Sequence, residues 1–320
     1  MYICITASHV RKYVIIWLSN WLKKSKPIHY TINIQIMNTT KIGWIGLGKM
    51  GIPMSQSLIK AGFPVIVYNR SKEKEELLKA SGAGVASTPA VLIQQAEVVI
   101  IMVTDDKAIN DIFKGDNGLL GAGTNGKIII NMSTVSPAIS KEMAAACEQQ
   151  GNHYLDAPVS GSVKQAQEAQ LVIMAGGDGN TFEKSKPILE KIGRMALLVG
   201  DTGAGNTAKL VINTLLGIQA QGLAEAVVFA QQNGIKNTDL MTLINNSALG
   251  SPFIKIKGEA IVNNNFNAMF SLSNIAKDLR LAKGIGLSTP LGEVAYQTFQ
   301  NAEPALGDED IIAVYKQISI

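Results

Sequence analysis

Residues 41–51 read Lys-Ile-Gly-Trp-Ile-Gly-Leu-Gly-Lys-Met-Gly, and this stretch decides the fold of the first half of the chain. Its last three glycines have the spacing Gly-x-Gly-x-x-Gly. They follow a short apolar run, residues 42–45, and precede a helical pattern at residues 52–61. A second apolar run, residues 64–68, comes next. A glycine motif framed by strand, helix and strand is typical of a dinucleotide-binding βαβ unit.

Each glycine of this motif has a physical reason to be there. Gly46 allows the tight turn out of the first strand, and Gly48 lets a pyrophosphate approach the backbone because it lacks a Cβ. Gly51 lets the helix pack close to the sheet. The free N–H groups and the positive dipole end of that helix face the phosphates. The alternative, a glycine-rich turn without a ligand, does not account for the complete βαβ frame.

The residues that end the second strand indicate which dinucleotide is bound. An acidic side chain there would accept hydrogen bonds from a ribose 2′-hydroxyl and repel a 2′-phosphate. This chain has Asn69, Arg70 and Ser71 instead. Arg70 can pair with a phosphate in a forked geometry, and Ser71 can donate a hydrogen bond to it. We therefore expect NADP(H) to be preferred, with NAD(H) as a second cofactor; the alternative is that Arg70 is a solvated surface charge.

The composition suits a two-domain enzyme. The chain has 320 residues, 47% of them hydrophobic and 17% charged, which is enough apolar material for large cores. Its two cysteines, Cys4 and Cys147, and its three histidines have no spacing that suits a disulfide or a metal site. We therefore expect no metal, a reducing compartment and a cytoplasmic location.

The first 36 residues differ in composition from the rest. They hold five of the 29 basic residues and none of the 25 acidic ones, so the net charge of +4 belongs to this leader. It is therefore no argument for nucleic-acid binding by the body. The longest apolar run of the leader, residues 13–18, is too short to span a membrane. Three readings stay open: a start assigned too early, with Met37 the true first residue; a targeting or disordered segment; or an ordered extension or surface anchor.

Strand-like and helical patterns alternate along the body of the chain. Apolar runs typical of buried strands lie at residues 98–103, 128–131, 154–156, 171–175 and 196–199. Helical patterns alternate with them at residues 71–80, 106–113, 136–150 and 181–192. Continuous apolar runs indicate strands that are covered on both faces. The pattern therefore predicts an α/β fold with a Rossmann-type, doubly wound, mostly parallel sheet.

The pattern changes after Gly205, where strand-like runs cease. Residues 206–232 form one long, mostly apolar helical pattern, and shorter helices follow. We predict an NADP-binding Rossmann domain over residues 37–202 and an all-α C-terminal domain over residues 203–320. The long helix is apolar over more of its circumference than one domain face needs. This predicts a homodimer or homotetramer that assembles through the helical domain.

Four motifs, in this order along the chain, carry a resemblance to a known family. They are GWIGLGKMGIPM at residues 43–54, DAPVSG at residues 156–161, GAGNTAKLVIN at residues 203–213 and Lys277-Asp278. With them, residues 41–315 resemble the β-hydroxyacid dehydrogenases, which include 3-hydroxyisobutyrate dehydrogenase and the glyoxylate/succinic semialdehyde reductases. Within that family, Asn69-Arg70-Ser71 is similar to the ending found in the NADPH-using reductases.

The resemblance assigns the chemistry to the third motif. Lys209 and Asn213 are spaced i, i+4, so they share one face of a helix. In the family the lysine is the proton donor and the asparagine assists it, which implies these roles for Lys209 and Asn213. Hydride transfer to a carbonyl leaves negative charge on oxygen, and a lysine in a cleft beside other cations has its pKa lowered toward the working pH. The alternative for Lys209 is a surface lysine on an amphipathic helix.

The resemblance also implies which residues line the cleft. Substrate contacts are expected from Thr134, Ser160, Gly161, Ser162, Phe270 and Asp278. Cofactor contacts are expected from Gly46, Leu47, Gly48, Met50, Gly51, Asn69, Arg70, Ser71, Met102, Val103, Thr104, Thr134 and Lys277. Phe270 has core packing as an alternative role. Asp278 is expected to order Lys277 or a water, or to bind a hydrated aldehyde, rather than to hold a carboxylate.

Three functions are open on these grounds. The first is NADP(H)-dependent reduction of a small aldehyde acid, of the glyoxylate or succinic semialdehyde type, with Lys209 as general acid. The second is oxidation of a 3-hydroxy acid of the 3-hydroxyisobutyrate type with NAD(P). The third is a non-enzymatic binding or assembly relative, which the presence of Lys209 disfavours. The expected partner is a small carboxylate-bearing substrate, with no nucleic acid and no membrane for the body.

Overall fold

The computed structural model describes residues 39–319, and the leader predicted for residues 1–36 lies outside them. The strands are β1 (Ile42–Ile45), β2 (Val65–Tyr68), β3 (Gly84–Val85), β4 (Val98–Ile101), β5 (Ile128–Asn131), β6 (His153–Asp156), β7 (Val159–Ser160), β8 (Leu171–Gly177) and β9 (Gly193–Gly200). The helices of the first half are α1 (Gly51–Lys60), α2 (Glu73–Lys79), α3 (Pro89–Gln95), α4 (Asp106–Lys114), α5 (Pro137–Gln149), α6 (Val163–Gln167) and α7 (Gly179–Leu189). Those of the second half are α8 (Ala204–Gln232), α9 (Asn237–Asn245), α10 (Pro252–Val262), α11 (Leu272–Gly284), α12 (Pro290–Leu306) and α13 (Val314–Ile318).

The described strands form one sheet in the order β3-β2-β1-β4-β5-β6-β8-β7, and β9 pairs with β8. The strands from β3 to β6 are all parallel, in the order that Rossmann folds use. Successive residues of β4 point to opposite faces, so Ile100 packs in one core and Ile101 in the other. Helices cover both faces, with Met54 of α1 in the first core and Phe113 of α4 in the second. The predicted Rossmann-type, mostly parallel sheet is confirmed.

The sheet has an antiparallel part that the sequence pattern did not predict. Both β6 and β7 pair with β8 in one register, Leu155 opposite Gly177 and Ser160 opposite Val172. They are therefore one strand interrupted at Pro158, which has no N–H to donate to a ladder. Residues 161–170 carry only the five-residue helix α6, too short to cross over to a parallel strand. As a result, β7 extends the line of β6 beyond the edge where the parallel strands end.

The second half of the chain is helical, as predicted, and is built around α8. This helix packs against α11, α12 and α13. Leu223 and Val227 on its inner face join Leu279 and Phe299 in a buried core. Within residues 39–319, α8 is also the one helix that is long and apolar enough to cross a membrane by length and composition. In this structure its inner face is instead the centre of the helical core.

Candidate active site

The glycine motif forms the turn between β1 and α1. Gly46 has a φ of +98°, and a Cβ there would lie 2.2 Å from the Met102 carbonyl oxygen. A Cβ on Gly51 would lie 2.0 Å from the Gly46 carbonyl oxygen. Gly48 differs, because no heavy atom lies within 4 Å of the position its Cβ would take. The packing of the protein does not require a glycine at position 48, whereas a ligand lying against the backbone would.

The start of α1 fits an anionic group at the same place. This helix has no side-chain cap and no acidic residue in its first turn. Its first N–H groups and its positive dipole end are therefore left for an external anion. Together with the open space at Gly48, these features fit the pyrophosphate of a dinucleotide.

Asn69 connects the glycine turn to the residues that follow β2. Its Oδ1 accepts a hydrogen bond from the Leu47 N–H at 2.9 Å, and its Nδ2 donates to the Ser71 carbonyl at 2.8 Å. Arg70 and Ser71 are exposed at this turn, where a group on the adenosine ribose would lie. The predicted cofactor residues at positions 46–51 and 69–71 are thus brought together.

An acidic residue that sequence reasoning missed lies beneath this turn. Glu75 is buried, and its Oε1 accepts from the Asn69 N–H at 2.8 Å and from Lys72 Nζ at 2.9 Å. The carboxylate is therefore used to shape the turn. The only sequence signal was its place in the first turn of α2, where acidic residues favour the helix dipole.

The loops after β4 and β5 meet at the carboxyl edge of the sheet. Val103 N–H donates to Ser133 Oγ at 2.9 Å, which joins the two loops. Lys277 reaches them from α11: its Nζ donates to the carbonyl oxygens of Thr104 at 3.0 Å and Thr134 at 2.7 Å. This lysine was predicted to contact the cofactor. In the structure its ammonium binds protein carbonyls of both loops.

Helix α8 places Lys209 and Asn213 beside Asp278 of α11. The Asn213 amide donates to Asp278 Oδ2, and Lys277 Nζ lies 3.1 Å from Asp278 Oδ1. Burial lowers the pKa of Lys209 to about 8; the charge of Asp278 raises it and that of Lys277 lowers it further. Lys209 can therefore exchange a proton near neutral pH, as general acid–base work requires.

The remaining substrate candidates have different surroundings. Ser160 is half-buried at the end of β7, and Gly161 follows it at the turn. Ser162 caps α6, and both its N–H and its hydroxyl donate to Gln165 Oε1. Its hydroxyl is thus engaged within the chain. Phe270 is partly buried and packs against the helical core, as its alternative role predicted.

Asp156, inside the second motif, received no role from the sequence. It is fully buried at the end of β6, and its carboxylate accepts the N–H groups of Gly203 and Asn206, each at 2.7 Å. Burial raises the pKa of Asp156 to about 6, against the opposing effect of these hydrogen bonds. The signal that could have found it is the glycine before α8, a position where helices usually have a capping side chain.

Two family models match this chain, one in each half. The model described as the NAD binding domain of 6-phosphogluconate dehydrogenase matches residues 41–200. The model described as NAD-binding of NADP-dependent 3-hydroxyisobutyrate dehydrogenase matches residues 203–318. The two matches thus divide between the sheet and the helical half.

Individual proteins are similar over nearly the same length. Glyoxylate/succinic semialdehyde reductase 2, chloroplastic, of Arabidopsis thaliana is 33% identical over 287 residues, 88% of this chain and 80% of that protein. Mitochondrial 3-hydroxyisobutyrate dehydrogenase of Rattus norvegicus is 32% identical over 297 residues, 88% of this chain and 89% of that protein. A solved structure of Mycobacterium tuberculosis 3-hydroxyisobutyrate dehydrogenase with L-serine has a TM-score of 0.81 at 30% identity, over 88% of this chain and 100% of that chain.

These matches agree with the motifs and with the order of the strands in the sheet. The chain belongs to the β-hydroxyacid dehydrogenase family of NAD(P)-dependent oxidoreductases that act on CH–OH groups.

Proposed function

We propose that the protein reduces a small aldehyde that carries a carboxylate, with NADPH as cofactor and Lys209 as general acid. The observation that carries this proposal is the environment of Lys209. Burial holds its pKa near 8, and it faces Asp278 beside the loops of the sheet edge. An ammonium with that pKa is mostly protonated at neutral pH and still able to give up a proton.

The chain supplies binding, orientation and the proton. A bound nicotinamide dinucleotide supplies the hydride for the carbonyl carbon. Ser160 and the N–H groups of its turn hold the substrate carboxylate at the edge of the cleft. Lys209 Nζ then donates a proton to the carbonyl oxygen as negative charge develops on it. In the opposite direction, neutral Lys209 accepts the proton of the hydroxyl group.

Asp278 and Asn213 act behind Lys209 in this proposal. Asp278 is buried and already accepts from Asn213 and pairs with Lys277, so it is poorly placed to repel an anionic substrate. Its charge favours the protonated form of Lys209. Asn213 therefore contributes by fixing this carboxylate.

The preference for NADP(H) is part of the proposal and is supported by the turn after β2. Arg70 and Ser71 are exposed there, and among residues 39–319 no acidic side chain forms a salt bridge with Arg70. Asn69 holds this turn against the glycine loop. The description of the family model that matches the helical half names an NADP-dependent 3-hydroxyisobutyrate dehydrogenase, which supports the same preference for NADP(H).

Assembly through the helical half is also proposed. The outer face of α8 exposes Val211, Leu215 and Phe229, with 65%, 56% and 69% of their surface accessible. Three large apolar side chains on one helix face are more than a monomer surface usually presents together. A second copy of the chain that packs on this face would give a homodimer or, with a further contact, a homotetramer.

Oxidation of a 3-hydroxy acid is the second candidate, because the rat and mycobacterial relatives are 3-hydroxyisobutyrate dehydrogenases. A steady-state panel separates the two. Glyoxylate and succinic semialdehyde are tested with NADPH and NADH, and 3-hydroxyisobutyrate with the oxidised cofactors. The proposal expects the highest kcat/KM for an aldehyde acid with NADPH. A higher value for 3-hydroxyisobutyrate with NAD⁺, or no turnover with any pair, would overturn it.

A further inference from the structure

The helix that carries Lys209 begins without a local cap. Its N-cap residue is Gly203, which has no side chain to accept the first N–H groups. Asp156 supplies the cap from the end of β6, with Oδ1 on the Gly203 N–H and Oδ2 on the Asn206 N–H, each at 2.7 Å. These charge-assisted bonds also complement the dipole of a 29-residue helix. The first turn of α8 is thus bonded to the sheet.

Asn206 extends this connection to the loop after β5. Its side chain is fully buried; Oδ1 accepts from the Val135 N–H at 2.9 Å, and Nδ2 donates to Ser140 Oγ at 3.1 Å. Val135 follows Thr134, whose carbonyl oxygen binds Lys277. Asn206, whose N–H is bonded to Asp156, therefore also holds the loop after β5 in place.

The contact between α8 and the sheet leaves no room for a side chain at Gly205. A Cβ on Gly205 would lie 2.4 Å from the Met174 carbonyl oxygen and 2.5 Å from that of Asp156. The backbone of α8 therefore rests directly on the sheet. Lys209 lies three residues beyond Asn206, less than one helical turn away, so these contacts fix where its side chain leaves the helix.

We propose that Asp156 and Asn206, together called the helix brace, are positioning residues for the reaction. They hold Lys209 at a fixed place relative to the Thr134 loop and to Asp278 and Lys277, the two groups whose charges act on it. This inference rests on the proposed role of Lys209 as general acid. The phosphates of the cofactor are expected at the glycine turn of residues 46–51, on β1 and α1 and away from the brace, so cofactor affinity should depend on the brace much less than turnover does.

The activity test compares brace variants with a matched control. Asp156→Asn puts an amide N–H against a backbone N–H, and Asn206→Ala removes the contacts to Val135 and Ser140. Asp178→Asn is the control, because Asp178 caps α7 in the same way, at 2.8 Å from the Thr181 N–H, outside the cleft. Both brace variants should lower kcat about tenfold or more and change the KM for NADPH less than about twofold. The descending limb of their kcat–pH profile should move to higher pH, because Lys209 becomes more hydrated. The control should change neither.

Hydrogen exchange of the ligand-free protein gives a readout that does not depend on turnover. Amides of residues 203–210 should exchange faster in both brace variants and at the wild-type rate in Asp178→Asn. Faster exchange with wild-type kcat and an unmoved pH limb would overturn the proposal, since the brace would then only stabilise the helix. If Asp156→Asn does not fold, Asn206→Ala decides by the same criteria. Lys209→Ala is measured in parallel: wild-type turnover there would refute the proposed acid and with it the positioning role, whereas a large loss there with wild-type kcat in both brace variants would refute the brace alone.

Discussion

Asn213 and Asp278, 65 positions apart in the sequence, are joined by a buried hydrogen bond from the asparagine amide to the aspartate Oδ2. The amide that was expected to assist at the substrate is thus bound to the anion that faces Lys209. Three effects act on the Lys209 ammonium: burial and Lys277 lower its pKa, and Asp278 raises it. Of these three, the charge of Asp278 is the one that stabilises the ammonium, and the hydrogen bond from Asn213 holds that carboxylate in place.

Replacing Lys209 should remove most of the activity. Lys209→Ala is expected to lower kcat by about 10²–10⁴-fold, the usual loss for a positioned general acid. Lys209→Arg should not restore it, because a guanidinium does not release its proton near neutral pH. Stopped-flow and steady-state rates check this, with the exposed Lys191→Ala as control. More than about a third of wild-type turnover in Lys209→Ala would show that another group gives the proton.

The pH dependence of reduction should report the same lysine. The acid must be protonated, so kcat is expected to fall as pH rises through about 8, the pKa of Lys209. Asp278→Asn removes a charge that raises this pKa, so the limb should move to lower pH. Lys277→Met removes a charge that lowers it, so the limb should move to higher pH. If the descending limb of the kcat–pH profile stays at the wild-type pH in both variants, the group that titrates is not Lys209.

Arg70 should distinguish the two cofactors. Arg70→Ala is expected to raise the KM for NADPH about tenfold or more, as a charge-assisted phosphate contact of about 1.5–3 kcal/mol is lost. The KM for NADH should change little. Arg194→Ala is the control, because Arg194 is exposed on β9, at the other end of the sheet from β2. Equal losses for both cofactors would contradict the assignment.

Leu215 should matter for assembly. Leu215→Glu places a charge on the exposed apolar face of α8, so sedimentation is expected to shift from an oligomer to a 34.1 kDa monomer. Leu77→Glu is the matched control: Leu77 is equally exposed, at 57%, on α2 of the first half. A wild-type protein that is monomeric at micromolar concentration while active would contradict the proposed oligomer.

The fold was largely predictable because its signals are local. The glycine motif and the apolar runs at residues 98–103 and 128–131 identified strands that the structure contains as β1, β4 and β5. The reversal of β8 was not predictable from its own residues, because an apolar run does not encode strand direction. The two-residue strands β3 and β7 are defined by their partners, and neither has a pattern long enough to detect.

The candidate site was predictable where a motif names a residue, and not where a residue acts through a distant partner. Lys209, Asn213 and Asp278 were expected at one cleft, and the structure brings Asn213 and Asp278 into contact. That the asparagine would donate to this aspartate required the packing of α8 on α11. The cap that Asp156 gives to a helix 47 residues later likewise has no local pattern.

The cap from Asp156 also has a consequence for folding. Gly203 gives the first turn of α8 no side-chain cap of its own, and the first turn of a helix is costly to form. This turn gains its cap only when β6 is in place, so we expect it to be the last part of α8 to become stable. In refolding experiments we therefore expect helical signal from the second half to appear before enzymatic activity. On the proposed mechanism, a partly folded chain would then lack a positioned acid and would not turn over substrate.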